Sequence, residues 1–354
     1  MTTVATAADL RRGASSEPLP WRRMAWVTWC QHRGALIGVA LLFLTLAVGF
    51  WVGGLQLHHA YAVAVACHPA SSYACNTLVD RFNGTNDFLA NGGLPQLIPP
   101  LIGAFLGAPV LARELESGTF RFAWTQGFGR WRWTLAKLVA LGVVVTAVAG
   151  ALGALLSWYF QPYFPAASQA IYVSNHLSIR TSSPFAPLLF DLRGVAFAAW
   201  TLAAFAVGVL AGVLIRRVVA AIVVTLVGYA GIAFAVGGYL RQRYVGPVVT
   251  SKLDVPDSAW VISQHWLTKA GRPASQALLN QVLLKTPPAA LGKAGDPKSF
   301  SLSHYLVQQG FTQWTAYQPA SRFWTFQWIE GGCLVALSAL LMAGTIWWVR
   351  RKVA

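Results

Sequence analysis

Six stretches of roughly 20 mostly apolar residues, each with charge confined to its ends, constrain this chain more than any other feature. In lipid a backbone must satisfy its own N–H and C=O groups, so stretches of this length read as transmembrane helices. They cover approximately 34–55, 95–111, 135–158, 195–215, 218–240 and 328–349. The second is interrupted by Pro95, Pro99, Pro100 and Pro109, and a ring that lacks an N–H kinks or breaks a helix. The expected fold is therefore all-α: a polytopic membrane protein with six spans. Composition agrees, with 56% hydrophobic and 11% charged residues where a soluble domain carries about 25% charged. A single water-soluble globule is excluded.

Lysine and arginine orient the spans, because short positively charged loops resist translocation. One side holds Arg11, Arg12, Arg22, Arg23 and Arg33, then Arg113, Arg121, Arg130, Arg132 and Lys137, then Arg216 and Arg217, and finally Arg350, Arg351 and Lys352. The short loops opposite hold Arg81, Arg180 and Arg193. Both termini are thus expected in the cytoplasm, and the net charge of +16 belongs to topology rather than to nucleic-acid binding. Residues 1–33 form a cytoplasmic tail and an interfacial segment rich in Trp and Arg. Residues 34–240 carry spans one to five, with a cytoplasmic loop at 112–134. Residues 241–327 lie outside, read as short helices separated by loops, and 328–354 form the sixth span and a basic end. The two-residue turn Arg216–Arg217 makes spans four and five antiparallel neighbours. Gly208, Gly212, Gly228 and Gly231 supply small surfaces for close helix approach.

The loop between spans two and three is the densest in chemistry. If helical, it places Phe120, Trp124 and Phe128 on one face beside Arg121 and Thr125, with Gly118 and Gly127 permitting bends. Two readings fit: an amphipathic stretch at the lipid headgroups, or a short docking helix. The run Arg113-Glu114-Leu115-Glu116-Ser117-Gly118-Thr119, with Trp124-Thr125-Gln126, Arg130-Trp131-Arg132-Trp133 and Lys137, resembles the cytoplasmic loop of type 2 ABC exporter permeases, notably actinobacterial ones. Phe190-Asp191-Leu192-Arg193-Gly194, Tyr317-Gln318-Pro319-Ala320-Ser321-Arg322-Phe323-Trp324 and Phe326-Gln327-Trp328-Ile329-Glu330 resemble the same group, and the likeness runs from about Trp21 to the C-terminus.

That resemblance implies a permease subunit paired with a second copy or a related permease. It also implies a separate cytoplasmic ATPase holding ATP and Mg, whose groove receives the loop helix. Arg113, Glu114, Glu116, Gly118, Thr119, Phe120, Arg121, Trp124, Thr125 and Gln126 would carry the coupling, and Trp21–Arg33 would be an interfacial helix along the inner surface. The cargo would be a hydrophobic or amphipathic drug, antibiotic, peptide or lipid, exported across the plasma membrane.

The chain has no phosphate loop of its own, since Gly292-Lys293 is followed by Ala and lacks the earlier glycine. No catalytic residue and no metal site is assigned: the Ser and His residues lack a nucleophile elbow, and adjacent His58 and His59 point apart on a helix. The span interiors are nearly free of ionisable groups. Glu330, near the outer end of span six, is a candidate substrate or gating group, with Asp191–Arg193 and Glu330–Arg322 as candidate contacts. Cys67 and Cys75 share an outer loop where a disulfide is permitted. Two other classes fit the same spans: a membrane enzyme acting on lipid or glycan at the outer face, and a non-transporting sensor subunit of an ABC complex.

Overall fold

A computed structural model describes residues 21–68, 72–84, 93–118, 130–164, 183–253, 255–256, 258–285 and 302–352. Helix α1 (Trp21–Ala66) runs unbroken for 46 residues, so Trp21–Arg33 is continuous with span one. Helix α2 (Tyr73–Gly84) follows, and a disulfide joins Cys67 to Cys75 with their Cα atoms 5.6 Å apart. Span two is α3 (Pro95–Ser117), span three is in α4 (Arg130–Tyr159), span four is α5 (Gly194–Ile215) and span five begins with α6 (Val218–Ala235). Helix α7 (Gln276–Leu284) and helix α8 (Leu302–Gln308) precede α9 (Phe323–Lys352), which holds span six. All six are long and apolar enough to cross a membrane.

The prolines of span two act as expected of rings without a donor. It opens with a tight turn at Pro95–Leu97 and widens into a π turn at Gly103–Gly107, just before Pro109, whose ring rejects the normal bond to residue 105. The glycines of that π turn let α3 press against α5. A Cβ on Gly103 would lie 2.5 Å from the Ala204 carbonyl oxygen, and one on Gly107 2.6 Å from that of Phe205. From the other side, a Cβ on Gly208 or Gly212 would run into the carbonyls of Gly103 and Ala108. The close approach expected of these two glycines is present. Gly228 makes only ordinary contact with Val207, and Gly231 faces open space.

Spans two and four are the inner layer: 67% of the residues in the most apolar stretch of each are buried, against 11% in span five. Spans four and five lie side by side, joined by Arg216 in the left-handed conformation (φ 59°) and Arg217.

The expectation of an all-α chain needs correction. Between spans five and six lies a three-stranded antiparallel sheet in the order β1 (Val248–Thr250), β3 (Thr312–Gln318), β2 (Trp260–Leu267). Thr250 faces Thr315, and His265 faces Trp314. Trp260-Val261-Ile262 and Thr312-Gln313-Trp314-Thr315 are rich in aromatic and β-branched residues suited to a half-buried pleat, so this segment is not helices and loops alone. The helix expected around SLSHYLVQQGF is α8.

Candidate functional site

Ionisable side chains gather at the two ends of the bundle. At the end bearing the loop between spans two and three, α3 stops where Gly118 adopts a left-handed conformation (φ 70°), which a Cβ would disfavour. Glu114, one turn earlier, accepts a 2.6 Å hydrogen bond from Lys137 of α4. Lys137 is fully buried and also donates to the Val110 carbonyl at 3.1 Å, so both arms of the loop are fastened together at its base. Glu116 reaches the other way. Its Oε2 accepts the backbone N–H of Val218 at 3.2 Å, at the first turn of span five. Helix N-termini present unsatisfied N–H groups and partial positive charge, which a carboxylate complements. The two carboxylates of the Glu-Leu-Glu element thus touch spans three and five. Arg113 is exposed. Thr119, Phe120, Arg121, Trp124, Thr125 and Gln126 lie outside the described residues.

At the opposite end, Arg241 lies in the last turn of span five (Val218–Arg243) and is buried together with Glu330. Its Nε donates to Glu330 Oε2 at 2.8 Å and its Nη2 to Oε1 at 2.7 Å, while Nη2 also donates to Asp191. Trp200 Nε1 donates to Glu330 Oε1 at 2.9 Å, and the guanidinium lies over the Phe190 ring. The candidate pairings Asp191–Arg193 and Glu330–Arg322 are therefore replaced by one arginine shared between two carboxylates. Arg193 instead sits over Phe164 and Phe323, with burial lowering its pKa to about 10. Arg322 donates to the carbonyls of Gly246 and Gln318's side chain. Burial pushes the Asp191 carboxyl up to about 7, with Arg241 pulling it down and Glu330 pushing it up further.

The short runs 190–194 and 326–330 meet here. Gln327 donates to the Phe190 carbonyl and accepts the Ala196 N–H, both at 2.9 Å, capping the start of span four. Gly194, at φ 60°, donates its N–H to Ser157. Sequence reading assigned Arg241 to the outer segment and Lys137 to the cytoplasmic flank; both are buried, so the spans are not free of charge. The signal available was positional: each cation directly adjoins a long apolar run.

Of the paired histidines, His58 stacks on Trp158 and bonds its carbonyl at 2.9 Å, whereas His59 points to a groove beside α2. Among the described residues no three His, Cys, Asp or Glu side chains converge as a metal site.

Six apolar helices, fastened by buried ion pairs at both ends, define a polytopic integral membrane protein. The chain belongs to the ABC-2 membrane transporter related family, whose model matches residues 39–241, more than half of its length. No curated protein and no solved structure matches it. Membrane components of this kind are typically not catalytic themselves and generally work with a separate ATPase.

Proposed function

We propose that this chain is the permease subunit of an ATP-driven exporter in the plasma membrane, with both termini in the cytoplasm. It pairs with a second permease, and ATPase subunits that hold ATP and Mg dock on the loop between spans two and three. Family membership over residues 39–241 is the observation that carries the reading. The contacts at the loop base support it: Glu114 grips Lys137 of span three and Glu116 the first turn of span five, so a displacement of the loop reaches both spans. Phe120, Arg121, Trp124, Thr125 and Gln126 of that loop are the residues the ATPase recognises. Nucleotide-driven closure of the ATPases moves that loop, and the pathway between the permeases changes the side it faces. The cargo is hydrophobic or amphipathic.

Reconstitution with its ATPase in inside-out vesicles tests this. ATP should drive accumulation of a hydrophobic dye in the vesicle lumen, abolished by a hydrolysis-deficient ATPase. No ATP-dependent accumulation of any of a panel of hydrophobic drugs, peptides and lipids would count against export.

A further inference from the structure

The Arg130-Trp131-Arg132-Trp133 run opens α4, and the coupling scheme gives it no task. Arg132 holds its guanidinium over the Trp131 ring at 5.4 Å, and Arg350, from the far end of α9, lies over the same ring at 5.9 Å. Arg351 likewise lies over Trp347 at 5.3 Å. Cations within about 6 Å of an indole are drawn to its face. One ring thus gathers cations from two spans more than 200 positions apart in the chain. All five side chains are exposed.

Among the described residues no carboxylate pairs with Arg132, Arg350 or Arg351. At this end of the bundle Glu114 is engaged by Lys137 and Glu116 by the Val218 N–H. The patch is therefore an uncompensated positive charge.

Its level in the bilayer follows from α9. Trp328 and Trp347 are both exposed and stand about 29 Å apart along the helix at 1.5 Å per residue. Glu330 is the one charged residue between them, and it is buried. That spacing matches two aromatic belts about a hydrocarbon core roughly 30 Å thick. Arg350 and Arg351, about one turn beyond Trp347, stand at headgroup height, and Trp131 and Arg132 stand there with them.

Apolar side chains continue from the cations toward the middle of the bilayer on both helices. On α4, Val139 and Val143 share one stripe with Arg132 and are exposed. On α9, Trp347 and Leu340 precede Arg351 on one stripe, and Leu340 is exposed. The two spans are neighbours, since a Cβ on Gly142 would lie 3.7 Å from Met342.

We infer that this patch binds one anionic phospholipid in the leaflet at the C-terminal end of the bundle, its headgroup on Arg132 and Arg350 and its acyl chains along Val139, Val143 and Leu340. A guanidinium offers a planar fork of N–H donors that matches a phosphate. The exposed valines and Leu340 lie at hydrocarbon depth, where a soluble partner does not reach. The inference rests on the membrane assignment alone and is independent of the exporter reading.

The test uses the full-length protein in detergent, with dioleoyl phosphatidylglycerol or dioleoyl phosphatidylcholine added and bound lipid counted by native mass spectrometry. Wild type should retain phosphatidylglycerol at least about fivefold better than phosphatidylcholine, and Arg350→Gln should lose most of that preference. Arg217→Gln, which also takes one exposed cation from this end of the bundle, should keep it. Trp131→Leu leaves every charge but releases the two guanidiniums, and should lower retention of phosphatidylglycerol. Equal retention of the two lipids by wild type, or equal losses in Arg350→Gln and Arg217→Gln, would overturn the site. Displacement of the lipid by glycerophosphate alone would make it a free-phosphate site and overturn the lipid assignment. An unaltered lipid count in Arg350→Gln with loss of a copurifying ATPase would assign the patch to a protein partner and overturn it too.

Discussion

Arg241 and Glu330, 89 positions apart, face each other through two parallel hydrogen bonds of 2.8 and 2.7 Å in a region where neither is appreciably exposed. This fork-to-fork geometry ties the end of span five to span six, and the second contact of the same guanidinium brings in Asp191 at the start of span four. Three helices are thereby joined by one cation.

Removing that cation leaves the buried Glu330 carboxylate with only the Trp200 N–H and the Tyr244 hydroxyl, and takes the arginine from the half-buried Asp191. Arg241→Leu should destabilise the protein by roughly 3–5 kcal/mol, the range for breaking a buried pair on one side. Glu330→Gln, which keeps the shape and a hydrogen-bond acceptor, should cost less. Thermal unfolding in detergent, followed by tryptophan fluorescence, orders the two variants; equal losses would contradict the account.

The third member makes the cluster sensitive to pH. Burial pushes the Asp191 carboxyl up to about 7 in the fold, with Arg241 pulling against it, from roughly 4 in an unfolded chain. The folded state therefore binds this proton more tightly. The stability it contributes is complete below the unfolded value and is lost as pH rises through the folded one. Wild type should lose thermal stability as pH rises from about 4 to 8, and Asp191→Asn should lose less, matching wild type near pH 4 and exceeding it at pH 8. A gap between the two proteins that does not change with pH would contradict this.

The packing of spans two and four is tested by a pair of glycines. Gly208→Val thrusts side-chain atoms into the Gly103 carbonyl and should cost at least the roughly 1–3 kcal/mol typical of overpacking. Gly231→Val meets no atom within 4 Å and should leave fold stability within about 0.5 kcal/mol of wild type. Comparable losses in both variants, measured by the same unfolding assay, would contradict the backbone-to-backbone contact.

The spans were legible in the sequence because hydrophobic length is a local property, and so was the distortion of span two by its prolines, which opens on a tight turn and widens at Gly103–Gly107 without breaking. Their ends were less so. Span one was expected to stop at residue 55, yet the helix continues to Ala66, because helical geometry does not end where the apolar run does. Lys137 and Arg241 were read as flanking charges, a sound prior for cations at the edge of an apolar run. Their burial depends on Glu114 and Glu330, which lie 23 and 89 positions away and are brought near only by helix packing. The sheet escaped notice because β1 is three residues long and its partner β3 follows only after more than 60 residues of chain. The resemblance singled out 190–194 and 326–330 separately; that Gln327 caps the helix which the first of them starts is a tertiary fact.

The central claim is that the loop between spans two and three engages an ATPase. The most direct measurement is affinity purification of the detergent-solubilised protein from its native membrane, with copurifying chains identified and ATP hydrolysis assayed, for wild type, Trp124→Ala and Glu114→Gln. An ATPase should accompany wild type, be lost with Trp124→Ala, and remain bound but poorly coupled to the permease with Glu114→Gln, while all three proteins insert normally. Wild type that carries no ATPase even after mild crosslinking before solubilisation, or both variants retaining a fully coupled one, would contradict the account.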